Sequence, residues 1–221
     1  MRPGLVIFDC DGVLVDSEPL SLAVLREVVS EAGCTLPEDW AWDRLLGRSI
    51  STVIAAIHDD FGFELGEAHL AQIRARLLAR FRAELGAIPG VAEVISTLPA
   101  PVCVASSSQP ERIACSLKVT GLEALFGRHV FSATMVENGK PAPDLFLLAA
   151  QEMGVAPEDC VVIEDSIAGI QAAKAAGMRV IGFTGGSHAI PARLPEKVRA
   201  ERPDAILLAM RDLPATIDAL N

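Results

Sequence analysis

The stretch that most constrains the fold of this chain is residues 5–12, where a short apolar run ends in two acidic side chains. Residues 5–8 are Leu-Val-Ile-Phe, a pattern typical of a strand that is buried on both faces. Asp9 and Asp11 follow at once, and Gly12 comes next. Carboxylates at the end of a buried strand are costly unless a cation compensates their charge. The pattern therefore predicts a ligand site, with a simple strand-ending turn as the alternative.

The remaining sequence predicts a parallel α/β sheet that is interrupted once by helices. After residue 16 the apolar spacing is helical to about residue 81, most clearly at residues 45–57 and 70–81. Strands and helices then alternate, which predicts a doubly wound parallel sheet. The further predicted strands are residues 102–105, 129–131, 160–163, 180–183 and 205–207, and the helices after them include 110–119, 144–153, 167–176 and 213–220.

The helical block predicts a second, smaller domain. A chain of 221 residues has room for one main domain and a smaller one. Pro89 and Gly90 mark the return of the chain to the strand–helix pattern. We therefore expect a catalytic core formed by residues 1–16 and 88–221 and a helical domain formed by residues 17–87.

Hydroxyl side chains follow the predicted strand 102–105. Ser106, Ser107 and Ser108 come directly after it and precede a predicted helix. A hydroxyl and the backbone amides of a helix start can bind a phosphoryl oxygen. A helix cap is the more common role of a single serine at such a place.

A second acidic pair follows the predicted strand 160–163. Glu164 and Asp165 repeat the arrangement of Asp9 and Asp11, and oxygen ligands of this kind suit Mg²⁺. Asp165 or Ser166 could also cap the following helix, and capping is compatible with metal ligation.

Lys140 is the one cation that the sequence singles out near these strand ends. It lies in the run Gly-Lys-Pro-Ala-Pro-Asp, residues 139–144, where two prolines restrict the loop. An exposed surface position would be the default for a lysine. The restricted loop instead favours a side chain that is aimed inward.

These features occur in the order of the motifs of the haloacid dehalogenase superfamily of phosphotransferases, which the chain resembles. Residues 9–18 resemble its nucleophile motif, and Ser106 matches its second motif. Lys140 matches the third motif, and residues 164–169 match the fourth. The helical block resembles the α-helical cap of the β-phosphoglucomutase-like branch. The resemblance implies a Rossmann-like core.

The resemblance also implies roles for the matched residues. Asp9 would attack phosphorus, and Asp11 would be the general acid and base, for which it needs a raised pKa. Lys140 and Ser106 would neutralise and bind the phosphoryl group. The implied Mg²⁺ ligands are Asp9, the backbone carbonyl of Asp11, Asp165 and, as a second choice, Glu164.

The helical domain favours a phosphatase over a mutase. Mutases of this branch carry a histidine where this chain has Ser21, and a phosphate-binding arginine near the place of Ile50. Arg48 could still bind a substrate anion, although a solvated arginine is an equal alternative. The sequence around residues 16–20 resembles phosphatases of 2-deoxyglucose 6-phosphate or 6-phosphogluconate.

The predicted function is thus a Mg²⁺-dependent phosphatase that hydrolyses a small phosphorylated sugar, polyol or sugar acid through an aspartyl-phosphate. Substrate binding is predicted for Arg48, Ser107 and Ser108. The alternatives are a phosphosugar mutase, a metal-independent 2-haloacid dehalogenase and a non-catalytic sugar-phosphate binding protein.

The composition of the chain limits the kinds of partner that it is expected to bind. The net charge of −10 argues against nucleic acid, and no apolar run is long enough to predict a membrane span. No secretory segment precedes the first strand, and five cysteines without CxxC spacing indicate reduced thiols. We therefore expect a cytoplasmic monomer or weak homodimer that binds a small phosphorylated metabolite. No role is predicted for the four histidines, which are His58, His69, His129 and His188.

Overall fold

The structure, a computed structural model, describes residues 3–48 and 50–220. Its centre is a parallel six-stranded sheet with the order β3-β2-β1-β4-β5-β6. The strands are β1 Leu5–Phe8, β2 Val102–Ser106, β3 Val130–Ser132, β4 Cys160–Glu164, β5 Arg179–Phe183 and β6 Ala205–Leu207. This confirms the predicted α/β, doubly wound class. The sheet branches at β1, since the chain builds outward to β2 on one side and to β4 on the other.

Helices connect the strands and form the block between β1 and β2. Those of the block are α1 Glu18–Glu31, α2 Glu38–Arg44, α3 Ile50–Phe61 and α4 Glu67–Glu84. The others are α5 Val91–Thr97, α6 Pro110–Val119, α7 Glu123–Phe126, α8 Asp144–Met153, α9 Ile167–Ala175, α10 Leu194–Ala200 and α11 Leu213–Ala219. Short 3₁₀ helices cover Ala133–Met135, Pro157–Asp159 and Met210–Asp212.

The predicted helix over residues 45–57 is wrong in its first part. Residues 45–47 form a turn, in which Gly47 has a φ of 63°, and α3 begins at Ile50. Apolar spacing alone does not reveal this turn, because Leu45 and Leu46 continue the helical pattern. Residue 49 lies outside the described part of the chain.

The strands of the sheet are buried on both faces, as the apolar run of β1 predicts. Val6 and Phe8 pack into one apolar cluster, while Leu5 and Ile7 pack into the cluster on the opposite face. All four are fully buried. This alternation follows from the two-residue period of a strand.

The helical block has an apolar cluster of its own. Leu25, Trp42 and Ile57 belong to it, and Ala192, from the segment before α10, joins it. The chain crosses into and out of the block side by side, since the amide of Asp16 donates to the Gly86 carbonyl at 3.0 Å. The division into two domains at residues 17 and 87 stays a prediction.

Two further observations bear on the sequence predictions. Cys10, Cys103 and Cys160 are buried and free, as expected for reduced core residues. In the stretches 3–48 and 50–220, no helix has both the length and the apolar character that a membrane crossing requires.

Gly182 on β5 is paired in register with Glu164 on β4. It offers a test of how tightly the sheet is packed beside the site. A Cβ at Gly182 would overlap Val198 and lie 3.2 Å from Cγ of Pro203. We expect Gly182→Ala to lower the free energy of unfolding by about 1–3 kcal/mol, because an added methyl forces the packed neighbours apart. Chemical denaturation measures this change.

Gly86→Ala is the matched control, since nothing lies within 4 Å of a Cβ at Gly86. Its unfolding free energy should change by less than about 0.5 kcal/mol. Equal losses in the two variants would show that crowding at Gly182 is not the cause.

Candidate active site

The candidate site lies at the carboxyl ends of β1, β2 and β4, which are neighbours in the sheet. Asp9, Ser106 and Glu164 stand at these three ends. Parallel strands bring their carboxyl ends to one edge, and a crevice opens where the strand order reverses. Residues that are far apart in the chain therefore meet beside β1.

Lys140 lies at the centre of the site, and its side chain is only 3% exposed. Its Nζ donates hydrogen bonds to Oδ1 of Asp9 at 2.7 Å, to Oε1 of Glu164 at 2.6 Å and to the Ala105 carbonyl at 2.9 Å. The ammonium also lies 4.8 Å from the centroid of the Phe146 ring. Burial disfavours the charge, but the two carboxylates outweigh it and raise the pKa of Lys140. The predicted inward orientation of this lysine is what the structure has.

Glu164 is held on both of its oxygens. Oε1 accepts from Lys140, and Oε2 accepts from the backbone N and the Oγ of Ser166 at 2.8 and 2.9 Å. Gly169 makes room for the carboxylate, because a Cβ there would overlap it. With these donors in place, Glu164 has less free ligand capacity than its neighbour Asp165.

Ser166 also caps α9, as the sequence allowed. Its Oγ accepts a hydrogen bond from the amide of Gly169 at 3.0 Å. The start of α9 is thereby fixed directly after the second acidic pair.

Three buried carboxylates form a group that fits a divalent cation. One oxygen each of Asp9, Glu164 and Asp165 lies within 4.8 Å of the others. Burial raises the pKa of Asp9 well above its usual value, the other carboxylates add to this, and Lys140 opposes it. Burial likewise raises the pKa of Asp165. One buried ammonium does not balance these acids, and hard oxygen donors suit Mg²⁺.

Asp11 turns its side chain away from this group. Its carboxylate accepts hydrogen bonds of 2.6 Å from each of three donors: Ser17 Oγ, Ser108 Oγ and Arg112 Nη2. Burial raises its pKa, but the Arg112 charge and the hydrogen bonds prevail, and the net pKa is lowered. The expected raised pKa of Asp11 is therefore wrong for this arrangement.

Arg112 was not predicted from the sequence. It lies in the first turn of α6, 5.3 Å from the Phe81 ring centroid, and its Nη2 also donates to Ser21 Oγ at 3.0 Å. Ser21 is the position at which mutases carry a histidine. An arginine in the first turn of a helix opposes the helix dipole, and this mismatch was the available signal.

His188, for which no role was predicted, lies beside the second acidic pair. It is fully buried, and its Nε2 lies 3.0 Å from Oδ2 of Asp165. Its position shortly after the end of β5, in the run Gly-Gly-Ser-His, was the signal that sequence reasoning passed over.

The predicted serines separate into different surroundings. Ser106 is buried, and its Oγ accepts from the amide of Ser108 at 3.1 Å. Ser107 is exposed, and Ser108 contacts Asp11. Neither Ser107 nor Ser108 is among the residues that line the cleft containing Arg48.

Arg48 lines a cleft of about 370 Å³ between the helical block and α9. Glu18, Asp165 and Gln171 also line it, so the cleft reaches the carboxylate group. Arg48 is exposed at the rim of this cleft. A cation at the rim of this cleft is free to meet a bound anion.

Comparisons with known proteins identify the family of the chain. The model of the haloacid dehalogenase-like hydrolases matches residues 3–177. A 6-phosphogluconate phosphatase of Escherichia coli is 32% identical over 187 residues, covering 84% of this chain and 85% of the relative. Hexitol phosphatase A of Escherichia coli is 32% identical over 232 residues, covering 98% and 95%. A solved haloacid dehalogenase-like protein of unknown function from Agrobacterium tumefaciens has a TM-score of 0.87 at 36% identity and 98% coverage of both chains.

The chain belongs to the haloacid dehalogenase-like hydrolase family. The resemblance seen in the motifs is thus confirmed, together with the predicted enzyme class, a phosphoric monoester hydrolase.

Glu18, the first residue of α1, gives the site a testable pH dependence. Burial raises its pKa from 4.5 to about 7, the charge of Asp11 adds to this, and Arg112 opposes it. A raised acid pKa stabilises the fold below pH 4.5, and this contribution is lost as the pH rises through about 7. Without metal, Glu18→Gln should therefore be more stable than the native chain at pH 8, by on the order of 1–3 kcal/mol.

Denaturation in EDTA at pH 5 and pH 8 measures this difference, which should shrink at pH 5. Glu67→Gln is the matched control, since Glu67 is also the first residue of a helix but is exposed. A stability gain that is the same at both pH values would refute the assignment to the Glu18 carboxyl.

Proposed function

We propose that the chain is a Mg²⁺-dependent phosphatase of a small phosphorylated sugar, polyol or sugar acid, which acts through an aspartyl-phosphate on Asp9. The observation that carries the proposal is the buried contact of Lys140 with both Asp9 and Glu164, beside Asp165. It joins a positioned carboxylate nucleophile to a fixed cation. The 6-phosphogluconate and hexitol phosphatases among the relatives support the substrate class.

Asp9 is arranged for nucleophilic attack. Lys140 holds Oδ1, which leaves Oδ2 to form the bond to phosphorus while the bond from phosphorus to the sugar oxygen breaks. The charge of Lys140 would also stabilise the phosphoryl oxygens. Bound Mg²⁺, held by Asp9, Asp165 and the Asp11 carbonyl with Glu164 as a further candidate, would add charge neutralisation at the phosphoryl group.

Asp11 would carry the proton in both steps. As the acid it protonates the leaving alkoxide, and as the base it takes a proton from the water that attacks the aspartyl-phosphate. Its contacts with Ser17, Ser108 and Arg112 favour the ionised form. This arrangement suits the base step, and donation in the first step requires the Arg112 contact to loosen.

The cleft beside Arg48 is the proposed position of the sugar portion. Arg48 can bind an anionic or hydroxyl-rich group, and Glu18 and Gln171 add polar contacts. Ser106, Ser107 and Ser108 would bind the phosphoryl group by hydroxyl or amide donors. Residues 17–87 would then act as a cap over the core, and closure of such a lid excludes water.

The test is phosphate release from a panel of sugar, polyol and sugar-acid phosphates, with Mg²⁺ or with EDTA. We expect release that needs the metal and that falls by about 10³-fold or more in Asp9→Asn, because the variant loses its nucleophile. Asp39→Asn, a change at an exposed acid with no contact to the site, should leave the rate unchanged.

Turnover that persists in EDTA and in Asp9→Asn would contradict the proposal. Conversion of β-glucose 1-phosphate into glucose 6-phosphate without release of phosphate would instead identify a mutase. The contact of Ser21 with Arg112, where mutases carry a histidine, disfavours that outcome.

A further inference from the structure

We propose that His188 is a positioning residue of the metal site, which holds the carboxylate of Asp165 in place for the cation. The inference rests on the proposed function in one respect, since it requires a metal at Asp9 and Asp165. It adds a residue that belongs to none of the sequence motifs of the family.

The first support is the location of the imidazole. His188 is fully buried, and Nε2 lies 3.0 Å from Oδ2 of Asp165. Neither ring nitrogen has a hydrogen-bond partner of good geometry among the described residues. A buried polar ring without partners is costly, so its position against a carboxylate of the metal group calls for a reason beyond packing.

The second support is the space that two glycines leave for the ring. A Cβ at Gly186 would lie 2.5 Å from Cε1 and 2.6 Å from Nδ1 of His188. A Cβ at Gly12 would lie 3.0 Å from Cε1 and would overlap Oδ2 of Asp165. The backbone on both sides therefore admits the imidazole and the carboxylate together only because these two positions lack side chains.

The third support is that the loop carrying the ring is fixed. The amide and Oγ of Ser187 donate to Oδ1 of Asp16 at 3.2 and 2.9 Å. Ala189 is buried in an apolar cluster of the core. With both neighbours held, the ring has a defined place beside Asp165.

The consequence for the metal follows from this geometry. Because the imidazole lies against Oδ2 of Asp165 at 3.0 Å, it limits the rotation of this carboxylate, and less rotational freedom is lost when a cation binds Oδ1. Partners that orient metal ligands in this way typically change metal affinity by about 10–100-fold when they are removed. His188 should therefore affect cation binding itself, before any chemistry.

The test measures Mg²⁺ and Mn²⁺ binding to the full chain by titration calorimetry, in the absence of substrate. His188→Leu removes the nitrogens at similar volume, and His188→Gln can return an amide near the place of Nε2. We expect the dissociation constant of the metal to be about 10–100-fold larger in His188→Leu than in the native chain. His188→Gln should recover most of the lost affinity. His58→Gln, at an exposed histidine, is the control and should bind as the native chain does.

Thermal unfolding in EDTA shows whether each variant is folded before its titration is interpreted. Native affinity or tighter binding in folded His188→Leu would overturn the proposal. Equal loss in His188→Leu and His188→Gln would also overturn it, since it would indicate a packing role. A native chain that binds neither metal would instead refute the metal requirement of the proposed function.

Discussion

The buried ammonium of Lys140 is the interaction on which the site depends. It joins Asp9, directly after β1, to Glu164, the last residue of β4, and also donates to the carbonyl of Ala105 on β2. Three strand ends are thus linked through a single charge, which is almost inaccessible to solvent. Removal of one partner of a buried ion pair leaves an uncompensated charge, and such changes are strongly destabilising. The same contacts that stabilise the edge of the sheet therefore align the proposed nucleophile.

The two aspartates of the first motif illustrate how environment separates neighbouring carboxyls. Asp9 faces other carboxylates in a buried place, and its pKa is raised despite the contact with Lys140. Asp11 faces Arg112 and two hydroxyls, and its pKa is lowered. These directions are opposite to those that the proposed roles need, since Asp9 must be ionised to attack phosphorus and Asp11 must be protonated to donate. A cation bound beside Asp9 would lower its pKa. The two residues are only two positions apart, so the separation comes from the charges and hydrogen-bond donors around each carboxyl.

The sequence predicts the part of the site that strand topology controls. Asp9, Lys140, Glu164 and Asp165 follow buried strands or lie in a restricted loop, and the structure brings them together because parallel strands end at one edge. Arg112 was not predicted because it lies on α6 and only its long side chain brings the guanidinium to the site. The periodicity of the sequence does not show such a reach. His188 was missed for a similar reason, since its approach to the site depends on the empty space at two glycines. The turn at residues 45–47 was not predicted, because the helical spacing of the leucines continues across it.

The segment after β5 couples the metal group to the helical block. Within five residues of the end of β5, Ser187 contacts Asp16 at the entry to the block, and His188 contacts Asp165. Further along, Lys197 on α10 pairs with Asp43 on α2 at 2.8 Å, and Ala192 packs into the apolar cluster of the block. The exposed Lys197 pair contributes little by itself, but it lies on the same segment as the buried contacts. One segment of the chain thus contacts both the helical block and a carboxylate of the proposed metal site.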